Sequence, residues 1–590
     1  MRMLVAFAIV MLRLPCVALG AEPGSDVDDF IGAYTAEYQK LYTAASEASW
    51  LANTDITDEH SAAEVKANEA FSVFIGRKET IEKLKTLLMQ KGALTPLQAR
   101  QIEMMRLAAA HRPGTIPEVV SRLVKAESDQ SAALYGFDFK IDGKPVTPND
   151  IDDILVDSRD LEQRLAAWEA SKEVGKSLRA GLVDLQELRN RVAREMGFSS
   201  YFDLEVAAYG MTTPAMMALL DGFLDQLRPL YREIHTYCRY ELAKRYNQPV
   251  PDMLPAHWLA NRWGQNWPGV VDAIDMDSLF QDRTKEWVVR QAEAFYVSMG
   301  FDPLNAGFWK RSDLYPPEGA RKKNTHASAW HINLDDDVRS LMSVKPNATW
   351  FKTAHHELGH IYYYMSYSNP GVPILLREGA NRAFHEGIGD LIGIASCQRP
   401  YLREIGLLPA DRPIDEIQWL LDDALAGSSV VYLPFAAGTM SHFEHDLYEK
   451  NLPPAQYNAR WWEYVRKYQG IVPPSPRGEE YCDAASKTHI NDDPAQYYDY
   501  ALGTVLKFHL HDYISKQILK QDPHSADYFG SKETGRFLRE IMKPGATADW
   551  RSLLRERTGA DLSAQAMLDY YEPLMAYLKK ANAGRKCTLE

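Results

Sequence analysis

Two histidines and a glutamate in the segment HELGH (356–360) have the residue types and spacing of a metal-binding catalytic motif. On an α-helix, His356 and His360 are one turn apart and face the same side, so both imidazoles can bind one ion. Glu357 lies beside them and can reach a water molecule instead of the metal, which suits a general base. Five residues of this kind also arise by chance on half-buried helix faces, so the motif needs a second feature.

The downstream segment FHEGIGD (384–390) supplies that second feature. A catalytic zinc needs a third protein ligand and one position left for water. We expect Glu386 to be this ligand, and Asp390, one helical turn further on, to accept a hydrogen bond from a ligating imidazole. His355 and His385 compete as ligands. Each would break the one-turn spacing, so we expect both to be neighbours of the site.

Helices should position these residues, because apolar side chains recur with helical spacing through most of the chain. A length of 590 residues exceeds the roughly 250–300 residues of one compact core, so two lobes or several subdomains are expected. The stretch NTHASAWHINL (324–334) alternates instead and predicts a strand. A strand shortly before the metal motif could pair with the backbone of an extended peptide.

Composition and charge exclude several classes of protein. Hydrophobic residues make up 46% and charged residues 25%, as in soluble globular proteins. The net charge is −14 and no basic run occurs, which argues against a nucleic-acid partner. Residues 1–20 have the pattern of an export signal, with Arg2, an apolar run and small residues before a cut. Because no other apolar stretch approaches ~20 residues, we expect no membrane anchor. We also expect a soluble, monomeric protein in the periplasm or outside the cell.

Six motifs, in order, resemble the angiotensin-converting enzyme family of zinc peptidyl-dipeptidases over nearly all of the chain after the export segment. They are LPAHWLANRWGQNW, HASAW, HHELGH, LREGANRAFHEGIGD, WWEYVRKYQG and KTHINDDPAQYYDY. The resemblance implies one catalytic domain over residues 21–590. Its expected fold is mainly α, a two-lobed helical ellipsoid around a deep channel, with a small antiparallel β-sheet near the zinc.

The resemblance also implies the residues that perform the reaction. The zinc ligands would be His356, His360 and Glu386, with Glu357 as general base and acid. The developing oxyanion would be stabilised by two further residues, His489 and Tyr500. Hydrogen-bond donors at such a position are what a tetrahedral intermediate needs.

Substrate-binding residues follow from the same resemblance. The C-terminal carboxylate of the peptide would be held by Gln265, Lys487 and Tyr497, which offer a cation and hydrogen-bond donors. His326 and Ala327 would lie on the strand that pairs with the substrate backbone.

Chloride binding is the point at which this sequence departs from the family. Animal members bind activating chloride through arginines, but Asp499 and Val465 stand at two of those positions here. Lys172 could replace a third arginine. Because an acidic side chain repels an anion, we expect weak or absent chloride activation.

The sequence therefore predicts a zinc-dependent peptidyl-dipeptidase that removes dipeptides from oligopeptides with a free C-terminus. A carboxypeptidase releasing single residues is one alternative, but relatives of that kind carry a bulky arginine in the outer pocket, where this chain has Gln265. A non-catalytic binding protein on the same fold is a second alternative, against which Glu357 argues. A broader zinc endopeptidase is a third, which the narrow channel of the family disfavours.

Overall fold

Helices form most of the chain, as the spacing of its apolar residues predicts. The computed structural model describes residues 23–271 and 275–589, so the expected export signal at 1–20 lies outside the described residues. The α-helices are α1 (Pro23–Thr54), α2 (Asp58–Ile75), α3 (Lys78–Met89), α4 (Pro96–Ala110), α5 (Pro117–Tyr135), α6 (Pro148–Asp157), α7 (Leu161–Lys172), α8 (Val174–Glu195), α9 (Tyr201–Ala207), α10 (Thr213–Arg245), α11 (Lys285–Ser298), α12 (Ala306–Arg311), α13 (Ala348–Tyr367), α14 (Arg382–Ser396), α15 (Arg399–Glu404), α16 (Glu416–Leu425), α17 (Ser441–Tyr448), α18 (Tyr457–Tyr464), α19 (Thr488–Asp492), α20 (Tyr498–Tyr513), α21 (Lys532–Met542), α22 (Trp550–Thr558), α23 (Gln565–Tyr570) and α24 (Glu572–Ala581).

Shorter helical segments connect these helices. The 3₁₀ turns are Lys91–Ala93, Ala256–Trp258, Asp277–Phe280, Ile374–Leu376, Pro454–Gln456, Asp483–Ser486, Pro523–Ser525 and Gly545–Thr547. Single turns of π-helix occur at Pro434–Met440, Val465–Gln469 and Ile514–Leu519. Such turns are frequent at functional sites, and the buried one at Pro434–Met440 adjoins the candidate site described below.

Three two-stranded sheets complete the secondary structure of the described residues. Strands β1 (Lys140–Ile141) and β2 (Lys144–Pro145) pair antiparallel, and β3 (Leu254–Pro255) pairs parallel with β6 (Ile471–Val472). Strand β4 (Ser328–His331) pairs antiparallel with β5 (Val338–Leu341), with Ser328 opposite Leu341 and His331 opposite Val338. The expected fold class, mainly α with a small antiparallel sheet, is confirmed.

The predicted strand at 324–334 is shorter in the structure, where β4 covers only Ser328–His331. At its start, the Asn324 side chain accepts a hydrogen bond from the backbone N–H of His326 at 2.9 Å, which makes a local turn. At its end, Leu334 adopts a left-handed conformation with φ of 57°. Side-chain hydrogen bonding and a positive φ both end a strand, and the alternation of residue types shows neither.

Helix α14 lies between α13 and α20, and glycines allow the close approach on both sides. A Cβ on Gly359 of α13 would lie 3.0 Å from the Cα of Gly389 of α14. On the other face of α14, a Cβ on Gly387 would lie 2.8 Å from Leu506 Cδ2 of α20. Larger residues at these positions would push the helices apart and, with them, the side chains that they carry.

The N-terminal helices face this three-helix unit across a series of connected cavities. Helices α1 to α4 contribute a small hydrophobic cluster of their own, separate from the main core. Three cavities of about 440, 410 and 610 Å³ share lining residues, and His385 lines all of them. The 610 Å³ cavity also has the metal motif in its lining. Among the described residues, no helix is long and apolar enough to cross a bilayer.

Candidate active site

The three expected metal ligands converge on one point. Helix α13 begins at an Asn347 cap and carries His356 and His360, whose Nε2 atoms are 3.1 Å apart. The Oε2 atom of Glu386, on α14, is 3.9 Å from His356 Nε2. Donor atoms of all three residues lie within 4.8 Å of one another.

This donor set fits zinc. Two nitrogen atoms bound at 2.0–2.1 Å in a tetrahedral site are about 3.3 Å apart, close to the spacing of the two imidazoles. Two histidines and one carboxylate leave a fourth position open, which is the arrangement of catalytic rather than structural zinc sites. The Oε2 atom of Glu357 is also buried without a hydrogen-bond partner in the described part of the chain, as expected for a base that faces a water molecule.

Asp390 lies behind the ligands, as the sequence predicts. Its Oδ1 atom is 3.1 Å from His356 Nδ1, so it accepts the hydrogen bond that fixes the ring with Nε2 toward the metal. Burial alone would raise the pKa of Asp390, but Lys507 and His356 outweigh it and hold that pKa below its usual range. Lys507 Nζ is 3.9 Å from Asp390 Oδ2.

Glu357 is only 6% exposed, and it points into the same cavity as the ligands. Burial raises the pKa of Glu357 to about 7, with the imidazole of His356 opposing the shift and the carboxylate of Glu386 adding to it. A carboxyl group with a pKa near the working pH can both accept and return a proton.

His355 and His385 lie outside the ligand set, as expected. His355 is fully buried and directs its ring nitrogens to the Phe351 carbonyl at 2.7 Å and the Tyr401 hydroxyl at 3.2 Å. The His385 ring packs on Tyr363, with 4.3 Å between centroids. Both therefore support the helices that carry the ligands.

The 610 Å³ cavity at the metal cluster, called the peptidase cavity below, brings the other predicted residues to the same place. Asp390 lies behind this cavity. Every predicted metal ligand, catalytic residue and substrate-binding residue lines it: Gln265, His326, Ala327, His356, Glu357, His360, Glu386, Lys487, His489, Tyr497 and Tyr500. These residues come from segments more than 200 positions apart in the sequence, so their convergence is a property of the fold.

A cationic group occupies one end of the peptidase cavity. Lys487 is 4% exposed, and its Nζ donates to Gln265 Oε1 at 2.9 Å. It also lies over the rings of Trp263 and Tyr497, at 4.5 and 5.3 Å from their centroids. Burial lowers the pKa of Lys487 to about 7, so a carboxylate bound beside it would stabilise the charged ammonium form. Tyr432, which the sequence analysis missed, donates to the Tyr497 hydroxyl at 3.0 Å.

Hydrogen-bond donors lie on the α20 side of the cavity. The Tyr500 hydroxyl is 3.5 Å from His489 Nε2, at the outer limit of a hydrogen bond. Burial, and then the nearby Lys487, lower the pKa of His489 to about 4, so its ring is neutral at neutral pH. Burial raises the pKa of Tyr500, which keeps its hydroxyl proton available for donation.

Arg382 also reaches this group, and the sequence analysis missed it. It is the first residue of α14, and its Nη2 atom is 3.5 Å from the Tyr500 hydroxyl. The guanidinium binds both carboxylate oxygens of Asp493, at 2.9 and 2.7 Å, and its Nε lies 2.8 Å from Asp499 Oδ2. The sequence feature that could have identified Arg382 is its position one helical turn before Glu386, on the same face of the helix.

His326 and Ala327 line the cavity but lie immediately before β4, not on the strand as the resemblance implies. Ala329 is on the strand, and its carbonyl accepts a hydrogen bond from Tyr364 of α13 at 3.3 Å. The strand edge is thus attached to the metal helix, and Ser328 and Ala329 also face the cavity.

Comparisons with known proteins give the same family over almost the whole chain. The family described as angiotensin-converting enzyme matches residues 22–589. The chain belongs to the angiotensin-converting enzyme family. An angiotensin-converting enzyme of Theromyzon tessulatum is 30% identical over 586 residues, covering 94% of this chain and 92% of that protein. One of Bos taurus is 28% identical over 598 residues, covering 95% of this chain but 44% of its own length.

A further relative, the angiotensin-converting enzyme-like protein Ace3 of Mus musculus, is 30% identical over 461 residues, or 75% of this chain and 61% of that protein. The chain spans less than half of the Bos taurus relative. As a member of the angiotensin-converting enzyme family with this His-His-Glu cluster, the chain is a zinc metallopeptidase.

The three positions expected to bind chloride in this family are all buried in this structure. Asp499 is fully buried beside Arg382. Val465 is buried and apolar, and Lys172 is 3% exposed, with its Nζ 3.4 Å from Ser486 Oγ. The charge of Asp483 acts on Lys172, and Asp483 is itself bound by Arg477.

Proposed function

We propose that the protein is a peptidyl-dipeptidase that removes C-terminal dipeptides from oligopeptides with a free C-terminus. The observation that supports this most directly is the shared cavity, whose lining includes both the metal cluster and Lys487 with Gln265. A buried ammonium group that contacts an amide and aromatic rings, with no carboxylate bound to it among the described residues, favours a carboxylate ligand.

The metal-binding part of the site would be formed by His356, His360 and Glu386. Zinc held by them supplies Lewis acidity for hydrolysis of the scissile amide. Glu357 accepts a proton from the attacking water and delivers it to the leaving amine, which its position beside the ligands and its shifted pKa both allow. Tyr500 and His489 donate hydrogen bonds to the oxygen that becomes negative.

The orientation of the substrate would be set by the residues that bind its C-terminal carboxylate. Lys487, Gln265 and Tyr497 hold the terminal carboxylate, which sets how many residues lie between it and the cut. The edge of β4 near Ala327 and Ala329 offers backbone groups to the extended chain. We therefore propose that the released product has two residues, and that blocking the carboxylate weakens binding.

The mechanism is tested by Glu357→Gln in the full chain. The change keeps the shape of the side chain and removes the base, so zinc stoichiometry should stay at one per chain while turnover falls by at least about 10²-fold. Asp569→Asn, a change of the same kind on exposed α23, is the matched control and should retain activity. An active Glu357→Gln enzyme would refute the role of Glu357.

A further inference from the structure

A second cavity of about 440 Å³ adjoins the peptidase cavity, and Arg382 and His385 line both. We call it the acidic antechamber. The residues that define it all line the cavity: Tyr34 of α1, Glu205 of α9, Tyr209, Glu378 and Asn381, the cap of α14. None of the residues expected to hold the substrate carboxylate lines it. The two cavities therefore meet at Arg382 and His385, and Lys487 lines only the peptidase cavity.

Four polar atoms on the wall of the acidic antechamber have no hydrogen-bond partner among the described residues: Tyr34 OH, Glu205 Oε1, Tyr209 OH and Asn381 Nδ2. Their side chains are only 3 to 8% exposed. The nearest ring nitrogen to Glu205, His111 Nδ1, is 3.6 Å from Oε1, beyond hydrogen-bond distance. Buried polar groups are normally paired, so four unpaired ones in one cavity indicate a ligand.

The charged groups that line the acidic antechamber indicate the chemical class of its ligand. Glu205 and Glu378 are carboxylic acids, and the one guanidinium in the lining, Arg382, is already bound by Asp493 and Asp499. An ammonium group carries a positive charge and three donors, which suits carboxylate and hydroxyl acceptors.

Aromatic rings add to this preference. Tyr34 and Tyr38 line the cavity next to the acidic groups, and their faces attract cations. Asn381 Nδ2, by contrast, is a donor, and a peptide carbonyl would satisfy it. A peptide segment with an amino group supplies both kinds of partner.

We propose that the acidic antechamber binds an ammonium-bearing segment of the peptide upstream of the cleaved bond, either a free N-terminal amine or a lysine side chain. This inference rests on the proposed function, because the C-terminal carboxylate must be held at Lys487 for the upstream residues to extend past His385. The enzyme then favours peptides that are cationic on the upstream side.

The state of Glu205 agrees with this role. Burial raises the pKa of Glu205 to about 8, although the Tyr201 hydroxyl and the charges of Arg382 and Arg189 oppose the shift. A bound ammonium would restore the charged form. The carboxyl group is thus neutral when the antechamber holds water and ionised when it holds the cation.

The test uses the zinc-loaded full chain and N-acetylated hexapeptides with a free C-terminus, which carry lysine or norleucine at one upstream position at a time. A second pair compares the free and acetylated N-terminus. We expect kcat/KM to favour the cationic member by about tenfold at one position or at the N-terminus, the size of one charge-assisted hydrogen bond. Ratios within about twofold at every position would overturn the inference.

Three variants connect the preference to named atoms. Glu205→Gln should reduce the ratio to within about twofold, while the matched control Glu187→Gln on the exposed face of α8 should leave it unchanged. Asn381→Asp keeps the helix cap, since the side-chain oxygen still accepts from the Phe384 N–H, and replaces the unpaired donor by an acceptor. It should raise the ratio. A Glu205→Gln enzyme with an unchanged ratio would also overturn the inference.

Failure of this inference is distinguishable from failure of the proposed function. An N-acetylated tripeptide has one residue upstream of the cut, so its cleavage to a dipeptide reports the proposed function alone. Equilibrium binding of the hexapeptides to the Glu357→Gln variant reports the preference even if no peptide is cleaved. Equal binding of the lysine and norleucine peptides would contradict the inference, whatever the tripeptide shows.

Discussion

Arg382 and Asp499 join the two helices that carry Glu386 and Tyr500: the Arg382 Nε atom lies 2.8 Å from Asp499 Oδ2. Arg382 is one turn before Glu386 on α14, and Asp499 precedes Tyr500 on α20. Asp499 is fully buried, and burial raises its pKa to about 8, with the charge of Arg382 opposing the shift. The contact connects α14 to α20, and it is a full ion pair only above about that pH.

Arg382→Gln should leave Asp499 as a buried acid without its cation. At pH 9, where Asp499 is mostly ionised, we expect a loss of about 1 kcal/mol in the free energy of unfolding, and a smaller loss for the double variant Arg382→Gln/Asp499→Asn, which removes both charges. Urea denaturation of the zinc-loaded proteins measures both. A double variant less stable than the single one would show that the pair does not act in this way.

Chloride should have little effect on activity. The buried acids Asp499 and Asp483 have arginine partners of their own, Arg382 and Arg477, which leaves no unpaired guanidinium at these two positions for an added anion. At fixed ionic strength, replacing acetate by chloride should change kcat/KM by less than about twofold, because both salts screen charges to the same extent. A several-fold rise with chloride would contradict this prediction.

Asp390→Asn should weaken metal binding without removing a ligand. The amide oxygen accepts a weaker, uncharged hydrogen bond from His356 Nδ1 than the carboxylate does, so we expect zinc affinity to fall by about 10- to 100-fold. Competition with a chelator measures this affinity. An unchanged affinity would mean that the helix alone orients His356.

Recognition of the carboxylate should weaken as the pH rises. Lys487 holds a carboxylate only when it is protonated, and its pKa in the free protein is lowered to about 7, so the charged form is lost above that pH. The KM of a free-acid peptide should therefore rise between about pH 7 and 9, while that of the matching C-terminal amide should not. Lys487→Arg, which stays protonated, should remove the rise. A pH-independent ratio of the two KM values would exclude Lys487 as the carboxylate partner.

The metal cluster could be predicted because its geometry is local. The one-turn spacing of His356 and His360 depends only on a helix, and Glu386 with Asp390 repeats that spacing on a second helix. The residues held near the substrate, such as Lys487 and Tyr497, could be named only through the resemblance to the family, because nothing in their own sequence neighbourhood requires them to face zinc.

What could not be predicted depends on contacts between distant segments. Arg382 gains its role from the approach of α14 to α20, which the glycines Gly387 and Gly503 allow. The acidic antechamber is built from α1, α4, α9 and the loop before α14, and only the last of these segments belongs to a motif named in the sequence analysis. The late start of β4 follows from a side-chain hydrogen bond that competes with strand pairing. The export signal at 1–20 and the single domain over 21–590 stay predictions.

The products formed from one oligopeptide with a free C-terminus, and from its C-terminal amide, test the central claim most directly. Mass spectrometry of the zinc-loaded enzyme reaction should show successive loss of two residues from the free acid, much slower cleavage of the amide, and no cleavage after zinc is removed by a chelator. Loss of single residues would assign a carboxypeptidase. Internal cuts of equal rate in acid and amide would contradict the account, because Lys487 would then not determine where the peptide is cleaved.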